Sequence, residues 1–151
     1  GLYLISADNM TQLLHFTAEN SPLPSNDVES VAVNGTTGEV FVGTAAGLCS
    51  YMGDASLPAE TMTKDNVYAY PNPVRPGFSG RVTVVGLTLN ADVKIVTASG
   101  TLVAEGRSNG GTFTWDLADL KGRRVASGVY MVQTATADGG KGTVCKIAVV
   151  N

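Results

Sequence analysis

Apolar and polar residues alternate along this chain with a period of two, and a helical period of 3.6 is nearly absent. Short runs rich in Val, Thr and Tyr are separated throughout by Gly, Asn-Gly, Asp-Gly and Ser-Gly turns, the signature of an all-β chain. In the first half the pattern predicts strands over Gly1 to Ile5, Gln12 to Phe16, Val28 to Val33, Glu39 to Gly43 and Leu48 to Tyr51. Asn34-Gly35-Thr36-Thr37-Gly38 supplies the tight reversal between the third and fourth of these. Gly53 to Asp65 loses the alternation and contains Pro58, so residues 56–65 read as a linker between a unit at 1–55 and a unit at 66–151.

Beyond the linker seven strands are expected, over Val67 to Tyr70, Arg81 to Val85, Asp92 to Ala98, Thr101 to Gly106, Thr112 to Asp116, Gly128 to Thr136 and Gly142 to Val150. Seven strands in a segment of this size, joined by turns such as Ser99-Gly100 and Asp138-Gly139-Gly140, match an immunoglobulin-like β-sandwich. In the last strand Cys145, Ile147 and Val149 alternate with Lys146 and Ala148, so the odd positions face the core. A sandwich this small buries only about 60–65% of its unfolded surface and depends on every core strand.

Composition adds few exclusions. The 151 residues are 44% hydrophobic and 15% charged, the balance of a folded globular chain. No run approaches the roughly 20 apolar residues that span a bilayer as a helix. Gly1-Leu2-Tyr3 opens in mid-pattern, as a fragment or a mature form would, and Asn151 follows closely on the terminal strand, as at a natural C-terminus. Cys49 and Cys145 lie in different segments and form no disulfide framework. Up to Asp65 eight carboxylates face Lys64 alone, a balance of −7, whereas from Asn66 onward nine Lys and Arg face five carboxylates, a balance of +4. This asymmetry again divides the chain in two, and it turns the basic unit toward anionic partners.

From Phe16 to Tyr51 the residues Leu23-Pro24-Ser25-Asn26-Asp27-Val28, Gly38, Val40-Phe41-Val42-Gly43-Thr44 and Gly47-Leu48 form one recurring pattern. It resembles a repeat of the β-propeller found in the sensor regions of hybrid two-component regulators. One repeat is about one blade, and propellers close with about 4 to 8, so residues 1–55 are expected to be an incomplete blade. Val31, Val33, Val40, Val42 and Leu48 would then expose apolar surface and promote self-association.

In the second unit Tyr70-Pro71-Asn72-Pro73-Val74-Arg75-Pro76 places three prolines in seven residues, which suits the end of an edge strand. Trp115-Asp116 is followed by Gly122-Arg123 and Ser127-Gly128-Val129-Tyr130. Trp115 and Tyr130 offer large apolar area, Asp116 an acceptor for the following turn, and Gly122 and Gly128 room for close backbone approach. With the closing Lys146-Ile147-Ala148-Val149 this set resembles the C-terminal sorting domain of type IX secretion cargo and the related domain of flagellar hook-capping proteins. Leu117 departs from the pattern, since many such domains carry Gly after Trp-Asp.

A propeller repeat joined to such a tail resembles an outer-membrane-associated component of the type IX apparatus. That resemblance implies a secreted, periplasmic or outer-membrane location, and secretion-apparatus proteins or anionic lipopolysaccharide as partners. It makes Val144, Lys146, Ile147, Val149 and Val150 the candidate sorting strand. Lys121, Arg123 and Arg124, clustered beside Gly122, form the candidate anionic-ligand patch.

Catalysis finds little support. His15 is the single histidine, set in the strand Leu13-Leu14-His15-Phe16 without a serine and carboxylate at evident spacing. No Cys and His cluster offers metal ligands, no cofactor motif is present, and the basic and aromatic interleaving of a nucleic-acid surface is missing. The expectation is a non-enzymatic sorting or docking module. The alternative is a structural spacer that terminates a periplasmic sensor-type propeller protein.

Overall fold

The computed structural model describes residues 1–6, 9–53 and 56–151, and every regular element among them is a strand. Two compact units result, Gly1–Ala55 and Ser56–Asn151. Residues 54 and 55, which fall within the expected first unit and at its junction with the linker, lie outside the described residues.

The first unit contains all five strands that alternation predicts. β1 (Leu2–Ile5) and β2 (Gln12–Phe16) form an antiparallel hairpin, while β3 (Val28–Val33), β4 (Glu39–Thr44) and β5 (Gly47–Met52) form a three-stranded meander. The reversal at 34–38 closes as its residues require: Asn34 N–H donates to Glu39 O at 2.8 Å, and Asn34 Oδ1 accepts from Thr36 N–H at 3.0 Å. Leu23 and Val42 are buried in this unit, whereas Val31, Val33 and Leu48 are exposed and Val40 is half-buried. Val42 therefore departs from the expectation of exposure. It lies on the central strand of the meander, where neighbours flank both sides.

The second unit is a sandwich of seven strands. β6 (Tyr68–Tyr70), β7 (Val82–Val85) and β10 (Phe113–Trp115) make one sheet in the order β10-β7-β6. β8 (Asp92–Thr97), β9 (Leu102–Arg107), β11 (Gly128–Ala135) and β12 (Lys141–Val149) make the other in the order β12-β11-β8-β9. In the constant-type immunoglobulin arrangement the fourth strand joins the sheet of the first two. Here the fourth, β9, pairs with β8 instead, because the Ser99-Gly100 turn is short enough to keep consecutive strands together. Between the sheets lies one core, with Val82, Val84, Leu87, Ile95, Leu117, Val132 and Ile147 wholly removed from solvent.

Two aromatic anchors fix this core. Trp115 packs against Tyr130 with ring centroids 5.4 Å apart, and its Nε1–H donates to Ala118 O at 2.9 Å. Tyr130, near the start of the sixth strand of the sandwich, donates its hydroxyl to Ala126 O at 2.8 Å. A tyrosine at this place bonding a few residues upstream is the tyrosine corner of immunoglobulin-like domains. Burial makes its ring harder to ionise than a free tyrosine.

Residues 56–65, expected to be a linker, are bonded into the second unit. Gly111 N–H donates to both Ser56 O and Ser56 Oγ, and Ala59 N–H donates to Leu87 O at 2.8 Å. The stretch shows no alternation because it meets loop backbones one bond at a time, not a ladder. Just past this stretch, Gly86 faces Asn66 with φ of 78°, and a Cβ there would fall 1.9 Å from Asn66 O, so only glycine fits. By contrast Gly128 approaches nothing closely, since a Cβ would first meet Tyr130 at 3.9 Å. Gly122 serves a turn at φ of 75° with open space around it. The sequence expectation of close approach at those two glycines does not hold.

Candidate functional site

The terminal strand β12 lies at the edge of the four-stranded sheet and pairs with β11 from Gly128↔Val149 to Gln133↔Val144. Its odd residues enter the core as alternation requires. Ile147 and Val149 are buried, and Cys145 packs half-buried against the core, with burial pushing its thiol pKa up. Its even residues face outward, so Val144 and Lys146 are exposed, as is Val150 immediately after the strand. The five candidate sorting residues thus divide into two that hold the fold, Ile147 and Val149, and three that a partner could touch.

The other side of β12 is occupied by the proline-rich segment. After β6 the chain leaves the three-stranded sheet and crosses to the terminal strand, with cis peptide bonds before Pro71 and Pro73. Val74, fully buried, bridges Val149 in the parallel sense, its N–H donating to Ala148 O at 2.8 Å and its O accepting from Val150 N–H at 2.9 Å. Between the prolines the Asn72 side chain makes two further bonds. Nδ2 donates to Lys146 O at 2.8 Å, and Oδ1 accepts from Ala148 N–H at 3.0 Å. Sequence reasoning placed this segment at the end of an edge strand, where β6 indeed lies, but missed the partnership of Asn72. The available signal was an amide side chain flanked by two residues that have no N–H to give.

Two of the three cations of the basic turn are engaged from within, though only Arg123 meets an opposite charge. Asp119 Oδ1 accepts from the N–H groups of Lys121 and Arg123, and its Oδ2 takes the Arg123 guanidinium at 2.9 and 3.1 Å. The Arg123 backbone N–H foremost, then that of Lys121 and the Arg123 guanidinium, hold the Asp119 carboxyl below the ordinary aspartate range. Arg124 donates to Asn151 Oδ1 at 3.2 Å and to Phe78 O at 2.9 Å, so it ties loops together. Lys121 is exposed. All three line an open cleft of about 510 Å³ with Thr101, Val125 and Tyr130. His15 lies on β2 in the first unit and stacks on Tyr3 at 4.0 Å.

No protein-family model matches this sequence, and no curated protein matches it. Among solved structures, one is described as PorZ, an essential bacterial surface component of the type-IX secretion system of Porphyromonas gingivalis. The chain is similar to PorZ. Identity is 38% over the whole of this chain, with a TM-score of 0.63. This chain spans only 20% of the PorZ chain. A dimeric latent PorU from Porphyromonas gingivalis matches 74% of this chain and 12% of its own length at 23% identity and a TM-score of 0.44.

Proposed function

We propose that this chain is part of a non-enzymatic, PorZ-like component of the type IX secretion system, secreted or associated with the bacterial envelope. Its second unit would act as a sorting or docking module. The observation that supports this is the 38% identity to PorZ along the full 151 residues, across both units together. In this reading the first unit is one blade-like piece of a larger propeller, and the remaining blades belong to the four-fifths of a PorZ-sized chain not represented here.

Docking proceeds through the outer face of β12, where Val144, Lys146 and Val150 are presented by a strand whose other face is locked in the core. Secretion-apparatus proteins are the partners in view. The basic turn is the secondary candidate, for anionic lipopolysaccharide, with Lys121 as its contact, since Arg123 and Arg124 already hold internal partners.

The test is a reporter carrying a secretion leader and ending in residues 1–151, expressed in a bacterium that has the type IX apparatus. The reporter is expected at the cell surface. The triple substitution Val144→Asp, Lys146→Glu and Val150→Asp, all at exposed positions, is expected to leave it inside. A wild-type fusion that never reaches the surface would favour the spacer function, and equal export of both forms would remove the outer face of β12 as the recognition element.

A further inference from the structure

An edge strand offers a row of unpaired N–H and C=O groups to any extended chain, and natural sheets cover or disrupt such rows. In the sandwich the outer row of β12 belongs to its even residues, because backbone groups of successive residues point to opposite sides. Lys146 O, Ala148 N–H, Ala148 O and Val150 N–H all turn this way, and each is taken by the 72–74 segment. Two of the four bonds come from Val74 in the manner of an ordinary parallel strand. The other two come from one side chain, Asn72, whose amide supplies the donor and the acceptor that flanking prolines cannot combine in a ladder.

We propose that Pro71–Val74 is an edge guard, which closes the terminal strand against strand addition by other chains, and that Asn72 is the positioning residue of that guard. Three features of the segment suit it to this role. The proline segment has few backbone donors of its own, so its outward side makes a poor template for a further strand. Val74 is fully buried, so the guard is fastened into the core and does not swing. The same alternation turns Val144 N–H and C=O toward this side, which makes the unguarded row continuous with the groups that Asn72 holds.

Without the Asn72 amide the vacated row runs from Val144 to Ala148. The chain that takes it is β12 of a second copy, antiparallel about a two-fold axis, because an edge of one strand is its own complement in that arrangement. The guard belongs to the fold of the sandwich and is independent of what the second unit docks to.

Amide exchange resolved by residue in the full 151-residue chain, measured over a concentration series, tests it. In the native chain Ala148 N–H should exchange slowly at every concentration. In Asn72→Leu it should exchange about tenfold faster in dilute solution. Its protection should return as concentration rises, together with a doubling of mass by light scattering beyond any association of the native chain. Asn72→Asp keeps the acceptor for Ala148 but loses the donor to Lys146 O, so it should retain dilute protection and still associate more than the native chain. Unchanged Ala148 exchange in Asn72→Leu would overturn the guard, as would exchange that quickens without any gain in association. If Asn72→Leu fails to fold, Asn72→Asp decides alone: association no stronger than that of the native chain refutes the proposal.

Discussion

Leu117 joins two opposed demands at one residue, and their sizes lead to an unusual order of stabilities. Its φ is 62°, the left-handed region that costs an L-residue about 1–2 kcal/mol. Its side chain is wholly buried in the sandwich core, a gain of about 1.5–3 kcal/mol over leaving it exposed. Burial wins, and the turn is held around it: Ala118 N–H donates to Asp116 Oδ1 at 3.0 Å and Val125 N–H donates to Leu117 O at 2.9 Å. Leu117→Ala keeps the unfavourable φ and opens a cavity, for a loss of about 2–5 kcal/mol. Leu117→Gly opens a slightly larger cavity but removes the left-handed cost, so it should be more stable than the Ala variant by about 0.5–1 kcal/mol.

Elsewhere in a strand or helix interior the order runs the other way, with Ala above Gly by about 0.5–1 kcal/mol. Thermal unfolding followed by fluorescence reports the right unit, because the single tryptophan, Trp115, lies in it. In a domain of this size a stability change of 1 kcal/mol moves Tm by about 4–8 °C. The expected ranking is native, then Leu117→Gly, then Leu117→Ala. An Ala variant that melts above the Gly variant would show that the left-handed conformation costs nothing here, and an Ala variant equal to native would refute the burial term.

Ile147→Ala should lower stability by about 2–5 kcal/mol, while Val144→Ala on the exposed face of the same strand should change it by less than about 0.5 kcal/mol; paired melts that agree between the two would refute the facing of β12. The Asp119 carboxyl, depressed by the bonds it accepts, favours the folded turn above the ordinary value of 3.8 and loses that contribution as pH falls below it. Its NMR titration should therefore have a midpoint under 3.8, and a midpoint at or above it would deny the turn in solution. Exposed Val31, Val33 and Leu48 should make the full chain self-associate in light scattering. A strictly monomeric chain whose first 55 residues are rapidly proteolysed would remove the blade reading.

Much of the fold was legible because strands and turns are written locally. Alternation located all twelve strands found among the described residues, and the reversal at Asn34 to Gly38 needed only its own residues. Cys145, Ile147 and Val149 could be assigned to the core from their spacing alone. The chemistry of the basic turn was less legible, since a cluster of Lys121, Arg123 and Arg124 looks free until Asp119, Asn151 and Phe78 are seen to engage two of the three.

What the sequence determined by itself was every property that depends on neighbours within a few residues: the strand period, the turns, the division of charge between the units, and which face of β12 is apolar. What only tertiary structure decided depends on residues far apart in the chain. Asn72 meets Lys146 and Ala148 across 74 and 76 positions, and residues 56–59 join the loops of the second unit. Leu117 is the clearest instance of the second kind. Local rules assign its backbone conformation to glycine, and a leucine holds it because the core formed by distant strands removes that side chain from water.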